Sequence, residues 1–260
     1  MGKRLLLVAA ICGSLLAVPE LKAQNFDLHV YTPDELDAQA NQVADFLGSV
    51  LPGGMYHTAK LHGIGGFDAG VRLISVFVPS EYKDVPAGPL KDKEFLAVPM
   101  LHASLGLPGH LEVMVRGISV TFGDAPTRGT VQVFGAALKW GIVQQLLLPR
   151  VTLIGAFHRL TVPETFDIGT TDVTSIRIVV SKGLPFFGFY GGLGFDWTKM
   201  QVELPQSDLY PTGLSATYNR TGANAAFGFT FSPFPFIKFN LDYSVAKFSG
   251  FNAGLTFSFR

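Results

Sequence analysis

Ionisable side chains recur in this chain at positions where a two-residue period would set them on one face of a strand. Asp68, Glu112, Asp196 and Asp242 are the acids; Arg72, Arg116, Lys139, Arg177 and Lys238 are the bases, and His158 joins them. Gathered inside a closed sheet, such groups have two uses. They can pair into a network that fills a narrow lumen, because buried charges persist only when paired and hydrogen-bonded. They can instead line a wet passage that selects ions. A barrel of about ten strands is little wider than the eight-stranded kind whose side chains fill it, which favours the filled network.

Other chemistry is less well supplied. The histidines are His29, His57, His62, His102, His110 and His158. His57 and His62 share neither a helical nor a strand face, and no carboxylates cluster beside them, so no metal centre is expected. His102 and Ser104 share a strand face, as a barrel hydrolase of envelope lipids would need, but no third group orients the histidine. Gly63 to Gly66 and Gly191 to Gly194 lack the spacing of a phosphate loop and open no helix. They are expected where a strand bends or packs on a plug. No cofactor and no enzymatic activity is expected.

The elements that would position these residues are strands. In the last stretch, Ile237, Phe239, Leu241, Tyr243 and Val245 alternate with Lys238, Asn240, Asp242 and Ser244. After a short break at Phe248-Ser249-Gly250, Phe251, Ala253, Leu255, Phe257 and Phe259 alternate with Asn252, Gly254, Thr256 and Ser258, and Arg260 follows. Period two means β-strand. One face greasy and the other polar suits a barrel with hydrocarbon outside and a polar interior.

The same pattern predicts strands near 67–79, 95–106, 110–122, 131–141, 151–160, 172–182, 186–203, 222–232, 236–247 and 251–260. Short proline-bearing links alternate with longer ones, the asymmetry of periplasmic turns against outer loops. The apolar link from Ile142 to Arg150 breaks that asymmetry and reads as an interfacial helical turn. The apolar parity changes within 110–122, which predicts a bulge near Arg116-Gly117. Pro99 makes 95–106 the weakest strand. Outward residues include Phe134, Leu138, Trp140, Phe187, Phe189, Leu193, Phe195, Trp197, Phe227, Phe229 and Phe231. The two tryptophans, each toward a strand end, suit an interfacial girdle.

Ahead of the strands, Lys3 and Arg4 precede an apolar run from Leu5 to Val18, with a plausible cut after Ala23. Residues 1–23 read as a signal peptide, and the sole cysteine, Cys12, falls within it. Residues 24–66 form a helix or plug segment: Thr32 can cap, Pro33 suits the first turn, and Leu36, Ala40, Val43, Phe46, Leu47 and Val50 recur at helical spacing. Pro52-Gly53-Gly54 stops it. Lying before the barrel, it would plug the lumen, cross the periplasmic mouth or pack on a neighbour.

The fold expected is therefore all-β: an antiparallel up-and-down transmembrane barrel over 67–260, of about ten strands, with a short N-terminal amphipathic helix. Equal numbers of acidic and basic residues, 20 of each, point away from nucleic acid. The expected home is the bacterial outer membrane, with membrane lipid as surroundings and a monomeric state.

Two resemblances add to this. Asn252, Gly254, Phe257 and Phe259 look like the terminal signal recognised by the outer-membrane barrel assembly machinery, which implies that machinery as a partner. Met55-Tyr56-His57-Thr58-Ala59-Lys60-Leu61-His62, with Gly66-Phe67-Asp68, Val76-Phe77-Val78-Pro79 and Leu138-Lys139-Trp140-Gly141, resembles an uncharacterised family of bacterial outer-membrane barrels. A helix-bearing N-terminus ahead of a barrel is also distantly similar to FadL-type transporters of hydrophobic compounds. The family resemblance implies location and architecture and no activity; with the FadL-type likeness, the favoured expectation is a narrow passive conduit or binder for small, hydrophobic molecules. The alternatives are a structural or adhesive barrel with a closed lumen, and a barrel enzyme acting on envelope lipids.

Overall fold

A computed structural model describes residues 33–83, 90–91, 93–122, 129–145, 147–162, 168–204 and 212–259. The expected signal peptide, Thr32 and Arg260 lie outside them.

The elements follow in order: α1 (Pro33–Val50), β1 (Phe67–Phe77), α2 (Ser80–Lys83), β2 (Phe95–Leu107), β3 (Leu111–Phe122), β4 (Gly129–Val143), β5 (Arg150–Thr161), β6 (Ile168–Gly183), β7 (Phe187–Leu204), β8 (Leu214–Phe234), β9 (Ile237–Val245) and β10 (Gly250–Phe259). Each strand pairs antiparallel with its sequence neighbour. The sheet closes where β1 meets β10, from Phe67 opposite Phe259 to Ile74 opposite Asn252. Closure leaves no edge from the first strand to the last. The chain is thus an all-β, ten-stranded antiparallel barrel with a short N-terminal helix.

The outward residues are those the alternation predicts. Phe227, Leu193, Phe189, Phe134, Trp140 and Trp197 all stand exposed on the outer face, Phe227 at 65%. So large an apolar surface has no stable place in water. Trp140 lies toward the end bearing the short turns and Trp197 toward the end bearing the long loops.

Four details differ from the sequence reading. The β3–β4 register runs unbroken from Leu111 to Phe122, so there is no bulge at Arg116-Gly117. Ile118 simply continues the inward row of Glu112, Met114 and Arg116 and packs on the helix cluster. The register instead shifts at Gly141/Val143, Ile168/Thr171 and Phe231/Phe234. The link before Arg150 holds no helical turn among the described residues; Gln144 bonds inward to Thr152 and to the carbonyl of Ala59. Strand β8 begins at Leu214 rather than near 222, because 214–224 pairs with β7 alone. Pro99 sits in a part of β2 with no β3 partner, where its missing donor costs little.

Helix α1 lies inside the barrel, at the loop end. Leu36, Val43, Phe46, Leu47, Val50 and Leu51 pack against Ile74, Val76, Met100, Val133, Leu160, Val173, Met200 and Val202 of the inner wall. The interior is therefore largely apolar around the helix, apart from the buried Gln39, Gln42 and Asp45, and polar below it. Past Gly54, where φ is +68°, the chain threads down the lumen. Tyr56 reaches Asn224, the Ala59 amide bonds Ser181, and His62 bonds Glu112. At the turn end, Gly65 and Gly66 exchange backbone bonds with Gly106, and the chain enters β1.

Candidate functional site

The site is the lumen, in three tiers. At the turn end a vestibule of about 770 Å³ opens between the threaded segment and β6–β10. Among the described residues, Lys60, Arg150 and Lys238 line it against a single carboxylate, Asp68, while Lys182, on the outward row of β6, reaches the Leu147 carbonyl. Leu61, Leu184 and Phe236 are among its apolar walls. Its inner end is closed by an ionic cluster. Glu112 accepts from Lys139 Nζ at 2.7 Å and lies 2.9 Å from His62 Nδ1. His62 Nε2 is 3.0 Å from Ser258 Oγ, which accepts from Lys238 at 2.8 Å. Asp68 accepts from Ser104 Oγ at 2.7 Å.

The middle tier holds the rest of the charges. Arg177 donates to both oxygens of Asp196, at 3.0 and 3.2 Å, and Ser175 and Asn224 complete that carboxylate. The Arg177 guanidinium lies 5.2 Å from the Tyr56 ring centre, a cation–π contact. Asp242 accepts from Tyr190 at 2.9 Å and Asn252 at 2.6 Å. Tyr56 fits because two inward positions lack side chains. A Cβ on Gly192 would stand 2.8 Å from its ring, and one on Gly194 2.5 Å from its hydroxyl. The glycines that mimic a phosphate loop are seats for the plug.

The outer tier anchors α1. Asp45 accepts two bonds from Arg220 at 2.8 Å each, one from Lys247 at 2.7 Å and one from the Tyr82 hydroxyl at 3.0 Å. Burial by itself would raise this carboxyl. The bonds from Arg220 and Lys247 outweigh it and hold the group below the usual aspartate value. Tyr82 is pushed up, by burial first and then by the Asp45 charge.

All ten of the ionisable residues singled out from the sequence project into the lumen: Asp68, Arg72, Glu112, Arg116, Lys139, His158, Arg177, Asp196 and Asp242 are buried and Lys238 half-buried. They do not form one cluster. Glu112, Lys139, Asp68 and Lys238 share the lower tier, Arg177, Asp196 and Asp242 the middle one, while Arg72, Arg116 and His158 make no ion pair among the described residues. Asn252 points inward, and Phe257 and Phe259 outward. Ser104 bonds Asp68 rather than His102, and both face the lumen. Sequence reasoning missed Asp45, Arg220 and Lys247. Arg220 lies in the part of β8 read as loop, where Tyr218 and Arg220 already kept the inward parity.

A family of unknown function, DUF6588, matches residues 80–259, spanning β2 to β10. The chain belongs to this family. No curated protein sequence matches. Among solved structures, the translocator domain of the autotransporter NalP from Neisseria meningitidis aligns at 10% identity over 92% of this chain and 99% of its own, with a TM-score of 0.38. Ail of Yersinia pestis aligns at 13% identity over 76% of this chain and 100% of its own, TM-score 0.34. The N-terminal barrel domain of Pseudomonas aeruginosa OprF aligns at 13% over 76% and 98%, TM-score 0.31. All three alignments are too distant to say more than barrel. The FadL-type likeness gains nothing from these matches.

Proposed function

We propose that this chain is a bacterial outer-membrane barrel, monomeric, that binds small amphipathic anions in its periplasmic vestibule and conducts them when its own N-terminal segment withdraws. The observation that carries this reading is the vestibule: three cations, Lys60, Arg150 and Lys238, against one carboxylate among the described residues, set beside apolar walls, in about 770 Å³. That volume is in the range of small-molecule sites. The cations would hold an anionic head while the apolar walls take the remainder. Among the described residues the helix ahead of Gly54 is held in the barrel by apolar packing and ionic hydrogen bonds, which suits a gate. Membrane lipid outside and the assembly machinery acting on the last strand complete this reading.

A second reading is a structural barrel with a permanently closed lumen. It is favoured by the apolar packing of α1, which fills the loop end.

Planar-bilayer conductance and liposome uptake of naphthalenesulfonate, an impermeant amphipathic anion, separate the two. The expected result is brief, rare openings in the full chain, sustained conductance after deletion of Gln24 to His62, and uptake that falls in an Arg150→Gln variant. Silence of both the full chain and the deletion would refute the conduit and leave the closed barrel.

A further inference from the structure

The wall of this barrel is not hydrogen-bonded along its full height between β2 and β3. The two strands pair from Leu107 opposite Leu111 to Leu101 opposite Gly117 and then part. Both go on as strands, β2 to Phe95 and β3 to Phe122. On their other sides the same stretches stay paired, Phe95 to Met100 with β1 and Ile118 to Phe122 with β4. Two ordered strands thus border a seam that is closed at Leu101 and Gly117 and opens toward the loop end.

Pro99 marks where the pairing fails. Gly106 donates to the Gly66 carbonyl at 2.8 Å and accepts from the Gly65 amide at 3.1 Å, so its backbone groups face β1. Such groups alternate in direction along a strand, so the odd-numbered residues of β2 face β3. Pro99 is one of them and brings no N–H. Were the register to continue, Pro99 would stand opposite Ser119 and that bond would be missing. Above the break, the N–H and C=O of Ala97, Ser119 and Thr121 and the Pro99 carbonyl are directed into the seam. They have no cross-strand partner among the described residues.

The two lips differ. On β2, Phe95, Pro99 and Leu101 face outward and are apolar; on β3, Ser119 and Thr121 face outward and carry hydroxyls. The floor is apolar, because Val98 and Ile118 point inward and pack on the cluster around α1. Inward residues behind unbroken wall are sealed, Ile74 at 1%, Leu160 at 7% and Val173 at 0% exposure. Val98, Ile118 and Val120 are partly exposed. At about 3.3 Å per residue, Phe95 to Met100 runs about 20 Å along the strand. With a tilt of about 40° that is about 15 Å of depth, half of a hydrocarbon core of about 30 Å. The seam therefore spans one leaflet.

Two demands fall on whatever fills it. The apolar lip and floor call for hydrocarbon, while the free backbone groups call for hydrogen-bond partners, because unbonded ones do not persist against lipid tails. Water meets only the second demand and a bare alkyl chain only the first. A lipid, with its chains and its polar linkage, meets both and is what surrounds this wall. We propose that the seam is a lateral binding site for one lipid of the outer leaflet. An acyl chain passes between β2 and β3 and lies on Val98 and Ile118, against the α1 cluster. The polar linkage, higher up, pairs with the Ser119 and Thr121 groups. Pro99 keeps the strands apart. The site is separate from the vestibule, and it rests on the membrane location proposed above but not on conduction.

The test uses the full mature chain folded into phosphatidylcholine vesicles doped with a phospholipid that carries a diazirine in one acyl chain. After illumination, mass spectrometry maps the labelled residues. Outward Leu101, Val115 and Phe134 should be labelled, and so should inward Val98 and Ile118. Leu160 and Val173, inward behind unbroken wall, should not. In Pro99→Val, which restores the N–H and lets the strands pair, labelling of Val98 and Ile118 should fall to the level of Leu160 while that of Leu101 stays. Wild-type labelling of Val98 and Ile118 no stronger than that of Leu160 would overturn the proposal, as would undiminished labelling of both in Pro99→Val. If Pro99→Val does not fold, the wild-type map decides. Absence of label from Leu101, Val115 and Phe134 as well would instead refute the membrane location, and the seam site with it.

Discussion

Replacing Asp45 by alanine tests what keeps α1 inside the barrel. The carboxylate is 5% exposed and accepts from Arg220, Lys247 and Tyr82 at 2.7 to 3.0 Å. A fully buried pair broken from one side would cost more, but the side chains of Arg220 and Lys247 are 35% and 37% exposed and regain water. With that screening, the loss is about 2–3 kcal/mol. Against it stand the apolar side chains of Leu36, Val43, Phe46, Leu47, Val50 and Leu51, each worth about 1.5–3 kcal/mol when buried. The helix should therefore stay docked most of the time. Its undocked fraction should rise about 30- to 140-fold, at 1.4 kcal/mol for each factor of ten. Hydrogen exchange of the α1 amides in micelles reads this directly, and openings in a planar bilayer should become correspondingly more frequent. Asp45→Asn, which keeps one acceptor, should fall between. Exchange in Asp45→Ala within about twofold of wild type, the range of an inert substitution, would show that the ionic anchor does not hold the helix.

Three further outcomes are expected. The Asp45 contribution is complete above the unfolded aspartate value of about 3.9 and is lost as pH falls through its lower folded value, so it is constant between pH 5 and 7. Leu193→Arg, on the outer face where Leu193 is 63% exposed, should cost up to about 2–4 kcal/mol in bilayer folding titrations and much less if water bathes that face. Asp34→Cys, in a mature chain expected to carry no other cysteine, should react with an impermeant maleimide on intact cells, because the start of α1 lies at the loop end; labelling only after the outer membrane is opened would reverse that topology.

The strand count, the order and the outward face were legible from sequence, because side chains alternate strictly along a strand and hydrocarbon outside tolerates only one class of residue. Phe227, Leu193 and Phe134 needed no partner to be placed; the period alone put them outside. The helix was legible too, from Pro33 to Pro52-Gly53-Gly54, since caps and stops are local.

Its destination was not local. Only the closed barrel brings Leu47 and Phe46 to Val133, Met200 and Val202, and that contact explains the apolar inward residues on β3 that otherwise imitate a bulge. The pairings of the interior were likewise decided by tertiary structure. Period two says that Arg72, Arg116 and Arg177 share the lumen with Asp196 and Asp242; register and the path of residues 51–66 determine that Arg177 finds Asp196 and that Arg116 finds no acid among the described residues. A strand's face is set by its own residues, whereas a partner across a lumen is set by every strand in between.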